Sequence, residues 1–286
     1  MRYFCKCLRE NFKSPLTYAA IVIFSILCIF GMSFSENDTV YTFFEVLSNE
    51  KLFETVKLDI QYSSYLLAFK FSDFNWYTVG LTVLTAIPAL YTYVKSLEKV
   101  QNFALFRTSY RKYTVGTILS AFLIGAIITI AGFLLFASAV YIVFPSFGSF
   151  GDEIMEMFYG ETAGERLLKL AKNVLNNAVV GGIIPVFAIT LYRFIRSDFL
   201  AASIPVMIMY ISFKIVPNYR AWFSDNPDSS DNAFLQLLFM LFPSNLINLG
   251  YSFEYTLKAP LFLAYLFFAA IVFACCLLFK KSVRRA

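Results

Sequence analysis

The sequence predicts an all-α integral membrane protein with six transmembrane helices and both termini in the cytoplasm. First, 59% of its 286 residues are hydrophobic and only 15% are charged, whereas soluble globular proteins are about 45–50% apolar and about 25% charged. Second, the apolar residues form repeated stretches of the length that crosses a bilayer, which takes about 20 residues in a helix. Third, the charges separate by side when six spans are assumed.

This separation of charge also predicts the orientation. The side that carries both termini holds 15 Lys and Arg residues and three Asp and Glu residues, whereas the other side holds nine basic and 16 acidic residues. Cytoplasmic loops of membrane proteins carry an excess of Lys and Arg. The basic side is therefore expected to be cytoplasmic, and the chain to be a multi-pass protein of the cell (plasma) membrane.

Residues 1–15 are predicted to form an amphipathic helix that lies in the cytoplasmic interface. Aromatic and other apolar residues recur in it at helical spacing, with basic residues opposite, which is typical of interfacial helices. Pro15 is expected to end this helix. The apolar run that follows, residues 16–34, is longer than the core of a signal peptide, and no small-residue cleavage pattern follows it. We therefore favour a retained first span over a cleaved signal.

The remainder, residues 16–286, is predicted to be a single six-helix transmembrane domain. Gly116, Gly125 and Gly132 are expected to let the third span, which is about 30 residues long, pack closely against another helix. Prolines within three spans are tolerated where partner helices satisfy the freed carbonyl groups. The predicted spans are residues 16–34, 76–94, 115–144, 174–194, 199–216 and 260–279.

Three outer loops are predicted, at residues 35–75, 145–173 and 217–259. The first is long enough for a small helical cap, and the acidic residues of the second are read as a solvated face rather than an ion site. Residues 234–249 are apolar but interrupted by Pro243, Ser244 and Asn245. A seventh span there would place the basic C-terminus outside, against the charge rule. We therefore predict a re-entrant or interfacial apolar hairpin between spans five and six.

The residues that several kinds of chemistry require are absent from this sequence. There is no histidine, no carboxylate within a predicted span and no phosphate-binding loop of the Walker type. Proton-coupled transport and intramembrane hydrolysis are therefore disfavoured, and neither catalytic nor cofactor-binding nor metal-binding residues are expected. If the protein performs work, another chain must supply the energy. No nucleic-acid partner is expected.

The segment 95–114, between the second and third spans, is the largest cytoplasmic loop. Leu97, Phe103 and Phe106 belong to an apolar stripe at approximately helical spacing. Basic residues follow at Arg107, Arg111 and Lys112. The pattern alone leaves two interpretations open: the segment docks in a groove of a partner, or it lies on lipid head groups.

A resemblance favours the first interpretation. Residues 102–113 (NFALFRTSYRKY) resemble the first cytoplasmic loop of type-2 ATP-binding-cassette (ABC) exporter permeases, of the kind found in Gram-positive bacteria. Residues 11–15 (NFKSP), which open the first span, resemble the interfacial connecting helix of that family. The predicted arrangement of six spans, internal termini and an interrupted hairpin before the last span is similar as well.

The resemblance implies that residues 95–114 form a coupling helix held in a cleft of a cytoplasmic ATPase subunit. Phe103 and Phe106 would be its apolar anchors, and Glu98 and Arg107 would belong to its polar rim. ATP and Mg²⁺ would bind to the ATPase, and a second permease subunit, identical or related, would complete the path across the membrane. The ATPase-coupling residues that we expect are Leu97, Glu98, Phe103, Phe106, Arg107, Arg111 and Lys112.

Two other classes of protein compete with an export permease. A non-transporting sensor or immunity protein would bind a peptide at the acidic outer loops. A secondary transporter is disfavoured because the predicted spans lack acidic residues. Phe-rich spans of low charge suit a hydrophobic or amphipathic cargo such as a peptide, a lipid or a drug.

Overall fold

A computed structural model describes residues 2–30, 33–36, 39–60, 80–95, 109–143, 162–225 and 261–285 of the chain. These residues are almost entirely helical. Their elements are α1 (Arg2–Lys13), α2 (Pro15–Phe30), β1 (Ser33–Glu36), β2 (Thr39–Thr42), α3 (Phe43–Ser48), α4 (Glu50–Ile60), α5 (residues 80–95), α6 (Tyr110–Val143), α7 (Ala163–Ile195), α8 (Asp198–Asp225) and α9 (Leu261–Arg285).

The all-α membrane character predicted from the sequence is confirmed in its coarse form. In the described part of the chain, α6 and the Val174–Ile195 portion of α7 are long and apolar enough to cross a membrane. Helices α1 and α2 meet at 61° and make a third candidate if they are taken together as one broken span. Each of the six predicted spans overlaps a helix in the described residues, but the six-span count and the orientation stay predictions.

Several helix ends differ from those that the sequence predicted. The first span was expected to reach Phe34, but α2 ends at Phe30 and β1 begins at Ser33. In β1 and β2, Ser33 pairs with Thr42 and Glu36 with Thr39. This antiparallel hairpin was not predicted, because the apolar run was read as one helix. The expected helical cap is present in part, as α3 and α4.

Helix α6 is the centre of the described bundle. It packs against α1, α2, α7 and α9, while α7 also packs against α8 and α9. One cluster of buried side chains includes Phe24, Phe133 and Val180, and a second includes Tyr113, Ile124 and Phe279. Both clusters contain residues of α6 and α7, so the pair formed by these two helices carries the core.

A close approach between helices joins α6 to α7. A Cβ atom added to Gly125 would collide with the carbonyl oxygen of Gly181, and one added to Gly181 would collide with Oγ1 of Thr129. Pro185, which lacks an N–H group, leaves the Gly181 carbonyl without its usual helical donor. Cβ atoms added to Gly116 and Gly132 would meet the rings of Tyr3 and Phe24 instead. The predicted close packing of the third span is thereby confirmed.

Helices α7 and α8 are joined by two residues. Arg196 ends α7 in the left-handed region, with φ at 54°, and its N–H donates to the carbonyl of Tyr192 at 2.8 Å. Ser197 starts α8, because its hydroxyl accepts a hydrogen bond from the N–H of Leu200 at 3.4 Å. A left-handed residue is a common way to end a helix, although glycine is the usual choice. The chain therefore reverses with no intervening loop.

Candidate functional site

The structure describes only part of the predicted coupling segment. Leu97, Glu98, Phe103, Phe106 and Arg107 lie outside the described residues. Arg111 and Lys112 are described, and both are exposed on the first turn of α6. The prediction for the segment as a coupling helix is therefore neither supported nor opposed at its apolar anchors.

The last five residues of that segment, 110–114, belong to α6 rather than to a loop. Ser109 caps the helix: the N–H of Tyr113 donates to its carbonyl at 3.0 Å, and the N–H of Lys112 to its hydroxyl at 3.4 Å. Serine is favoured at this position because its oxygen satisfies N–H groups that have no partner within the first turn. The helix therefore begins five residues before the predicted start of the third span at residue 115.

Helix α1 docks on the first turns of α6. Tyr3 and Tyr113 place their ring centroids 5.3 Å apart, and a Cβ atom on Gly116 would lie 2.7 Å from Cδ1 of Tyr3. Tyr3, Cys7 and Asn11 are spaced by four residues and so share one face of α1. Asn11 is only 5% exposed, although it is polar. The predicted amphipathic helix thus exists, and its inner face is partly polar.

A hydrogen-bonded bend joins α1 to α2. The carbonyl of Asn11 accepts from the N–H of Ser14 at 3.1 Å and from Oγ1 of Thr17 at 2.7 Å. Ser14 lies outside both helices, and its carbonyl accepts from the N–H of Thr17 at 3.1 Å. Pro15, at the first position of α2, has no N–H that would need a partner. The bend is therefore a defined joint with satisfied backbone groups.

A cleft of about 730 Å³ opens between α1, α5 and the first turns of α6, and we call it the α1 cleft. Its volume falls within the range of about 300–1,000 Å³ typical of small-molecule sites. Its aromatic lining residues are the tyrosines Tyr3, Tyr91, Tyr93 and Tyr113. Its charged lining residues are Lys6, Glu10, Lys13 and Lys95.

Aromatic packing supports the wall of the α1 cleft from behind. Phe279 of α9 is fully buried, and its ring centroid lies 5.7 Å from that of Tyr93 and 6.2 Å from that of Tyr113. Tyr192 of α7 meets Tyr93 edge to face at 6.1 Å. Helices α5, α6, α7 and α9 therefore converge at this end of the bundle, so the wall of the cleft is held by four elements.

The α1 cleft was not foreseen from the sequence. The sequence feature that could have indicated it is Asn11, a polar residue that falls in line with Tyr3 and Cys7 on the face expected to be apolar. In the described ranges, no group of three or more His, Cys, Asp and Glu residues is placed to hold a metal ion. The volume and the lining of the cleft are those of a binding site.

The opposite end of α2 carries the hairpin and α3. Thr42 and Glu45 form a reciprocal cap: Thr42 N–H and Oγ1 donate to Oε2 of Glu45 at 2.7 and 2.9 Å, and the N–H of Glu45 donates to Oγ1 of Thr42 at 3.4 Å. Because the backbone N–H and then the hydroxyl of Thr42 stabilise its charged form, the pKa of Glu45 is lowered from its ordinary value. Thr162 and Glu165 form a similar cap at the start of α7.

Comparison of the chain with models of known protein families found no match, and comparisons with curated proteins and with solved structures likewise found none.

Proposed function

We propose that the chain is the transmembrane permease subunit of an ABC transporter. In this proposal it exports a hydrophobic or amphipathic peptide, lipid or drug across the cell membrane through six spans, with both termini in the cytoplasm. A separate cytoplasmic ATPase subunit hydrolyses ATP and acts on the chain through residues 95–114. The permease itself catalyses no reaction, and a second permease subunit, identical or related, completes the path.

The observation that supports this proposal is the position of the coupling segment relative to α6. The segment ends in the first turn of α6, without an intervening loop after Ser109. With 34 residues, α6 is about 51 Å long at 1.5 Å per residue. It packs against four other helices of the described bundle. A force that the ATPase applies to the segment would therefore reach those helices directly through α6, which acts as one continuous lever.

The proposal requires that the lever and the joint next to it can be displaced together. Helix α1 packs on the first turns of α6 and is connected to α2 by the bend at Ser14. Movement of the start of α6 would thus be passed to α1 and absorbed at that bend. Arg111 and Lys112 are exposed on the same turn and are available to the polar rim that we propose.

The test is co-purification with a cognate cytoplasmic ATPase subunit. We expect the double substitution Phe103→Asp and Phe106→Asp to abolish co-purification while the protein still inserts into the membrane, because two carboxylates cannot occupy an apolar groove. The matched control is Phe44→Asp with Leu47→Asp, which alters two exposed apolar residues of α3. Retained ATPase binding in the Phe103 and Phe106 variant would contradict the coupling assignment.

The competing proposal, a sensor or immunity protein, rests on the other end of the molecule. Glu45, Glu50 and Glu54 are exposed on α3 and α4, the part of the first predicted outer loop next to the hairpin. A cationic peptide could be held there by charge. In that case the Phe103 and Phe106 variant would bind the cationic peptide as the wild type does. Substitution of the three glutamates by glutamine would abolish peptide binding.

A further inference from the structure

The α1 cleft combines three lysines with a single acidic residue among its described lining residues. We propose that it binds the head group of an anionic phospholipid that also carries hydroxyl donors. The ligand is thus an integral component of the bilayer, distinct from any cargo. This inference does not depend on the proposed transport function, because it follows from the lining of the cleft and from the predicted position of α1 at the cytoplasmic interface.

The charge of the rim argues for an anionic ligand. Lys6 and Lys13 are seven residues apart and therefore lie about two turns apart on one side of α1. Lys95 comes from the end of α5, across the cleft, with its Nζ atom 5.6 Å from the centroid of the Tyr91 ring. All three lysines are exposed, so the ammonium groups lie at the mouth. Basic pockets between helices on the cytoplasmic side of a membrane recognise anionic head groups.

The interior of the cleft argues for a ligand that also donates hydrogen bonds. Oδ1 of Asn11 and Oγ of Ser14 are buried and have no hydrogen-bond partner in the described part of the chain. The amide nitrogen of Asn11 is already used, because it donates to the carbonyl of Cys7 at 3.1 Å. The remaining oxygen can only accept. Since an unpaired buried oxygen is costly, a ligand hydroxyl is the complementary group.

The apolar lining argues for a lipid rather than a soluble phosphate compound. Leu16, Ala89, Ala121 and Ile189 line the cleft beside the polar groups. Apolar side chains such as Val22 on α2 and Ile87 on α5 are exposed on the two helices that continue from it. Tyrosine rings are favoured at the boundary between lipid and water. An acyl chain could therefore leave the cleft along α2 or α5 while the phosphate stays among the lysines.

The experiment measures lipid retained by the full-length protein. Protein purified in mild detergent is offered phosphatidylglycerol, phosphatidylmethanol or phosphatidylcholine, and bound lipid is counted by native mass spectrometry. Phosphatidylmethanol carries the same charge as phosphatidylglycerol but lacks its head-group hydroxyls. Inorganic phosphate and glycerol phosphate are added as competitors to separate a lipid site from a site for a free anion. We expect retention in the order phosphatidylglycerol, phosphatidylmethanol, phosphatidylcholine, with little competition from either soluble compound.

Two matched triple variants locate the site. Lys6→Gln, Lys13→Gln and Lys95→Gln remove three charges from the α1 cleft, and we expect retention of phosphatidylglycerol to fall by roughly tenfold or more. Arg9→Gln, Lys51→Gln and Lys281→Gln remove three exposed charges that do not line the cleft. The latter variant should retain the lipid within about twofold of the wild type, since nonspecific attraction alone is reduced.

Three results would overturn the anionic lipid site, and a fourth would overturn its preference for a head group with hydroxyl donors. The first is an equal loss of phosphatidylglycerol in the two triple variants, which would show that only overall charge matters. The second is equal retention of phosphatidylglycerol and phosphatidylcholine by the wild type, a result that needs no variant to fold. The third is displacement of the lipid by millimolar inorganic phosphate, which would assign the cleft to a soluble anion. Equal retention of phosphatidylglycerol and phosphatidylmethanol would overturn the role given to Asn11.

Discussion

Helix α6 meets α7 and α1 through surfaces of different character. Against α7, Gly125 faces the backbone of Gly181 so closely that no side-chain atom fits between them. Against α1, by contrast, α6 presents the ring of Tyr113 to that of Tyr3, and a cleft of about 730 Å³ remains beside the contact. One surface is made by backbone against backbone, and the other by side chains around a space.

This difference indicates that the contact of α6 with α7 is fixed, whereas the contact of α6 with α1 can rearrange. Backbone atoms cannot move aside without displacing a whole helix, and small residues are what allow such an approach within a membrane. Side chains can rotate, and the buried oxygens of Asn11 and Ser14 leave the α1 side incompletely satisfied. We therefore expect α6 and α7 to behave as one unit, and α1 to be the partner that moves relative to α6.

The largest effect is expected for Gly125→Ala. The added methyl group would collide with the carbonyl oxygen of Gly181, and the helices would have to separate. Overpacking of this kind costs about 1–3 kcal/mol, and the better helix propensity of alanine recovers only part of it. We expect a net loss of about 2 kcal/mol in the free energy of unfolding, measured by reversible unfolding in mixed micelles.

The same substitution on the α1 side supplies the comparison. In Gly116→Ala the methyl group meets the ring of Tyr3, which can rotate, so the stability should change by less than about 1 kcal/mol. Gly164→Ala, in the first turn of α7, has nearly open space around the added atom and serves as the reference for the gain in helix propensity alone. Equal losses in the Gly125 and Gly116 variants would remove the distinction between a fixed and a yielding surface.

An intermediate effect is expected for Thr17→Val, which tests the joint of α1. Thr17 is fully buried, and valine keeps its shape while removing the hydrogen bond from Oγ1 to the Asn11 carbonyl. The lost bond should cost about 1 kcal/mol, and α1 should detach more often. In a Cys5→Ser background, the maleimide labelling rate of the half-buried Cys7 should rise about fivefold.

The control for this joint lies within α7. Thr190 is also buried, and its Oγ1 donates to the carbonyl of Val186 at 2.8 Å inside the same helix. Thr190→Val removes a similar bond without touching the bend. If it accelerated labelling of Cys7 as much as Thr17→Val does, the bend would not be the element that holds α1.

The smallest effect is expected at the cap of α3, where the chain is exposed. Because hydrogen bonds from Thr42 lower the pKa of Glu45, its carboxylate stabilises the folded cap above the ordinary pKa of 4.5, and this contribution is lost as the pH falls through the lowered value. Amide hydrogen exchange of α3 should therefore accelerate towards low pH, relative to the intrinsic rate. Glu45→Gln should remove that dependence, whereas an unchanged pH profile in the variant would exclude Glu45 as its cause.

The sequence predicts the positions of the helices better than their ends. Long apolar runs locate α2, α6 and the apolar part of α7, because only regular helix satisfies the backbone in lipid. Such runs contain no information on how far a helix continues into water. The start of α7 at Ala163 follows instead from a local signal, the capping pair Thr162 and Glu165. That pair marks where the helix begins, eleven residues before the predicted span, whose start at residue 174 coincides with the apolar portion Val174–Ile195.

The candidate site was harder to predict because it arises between elements. Asn11, Tyr93 and Tyr113 are far apart in the sequence, and nothing local to any of them indicates a shared cleft. Periodicity placed Tyr3 and Cys7 correctly on the inner face of α1, but it treated that face as apolar throughout. Loop length and resemblance identified residues 95–114, whereas the cleft depends on tertiary contacts that no linear pattern records.

The two-residue reversal at Arg196 and Ser197 has a consequence for the freedom of the bundle. A connection this short offers few torsion angles that can change without unwinding a helix, so α7 and α8 have little independent motion. Since α6 is joined to α7 at Gly125 and Gly181, the three helices make a single body. Among α1, α6, α7 and α8, only α1 is then left free to move, and it can do so by turning at its bend with α2.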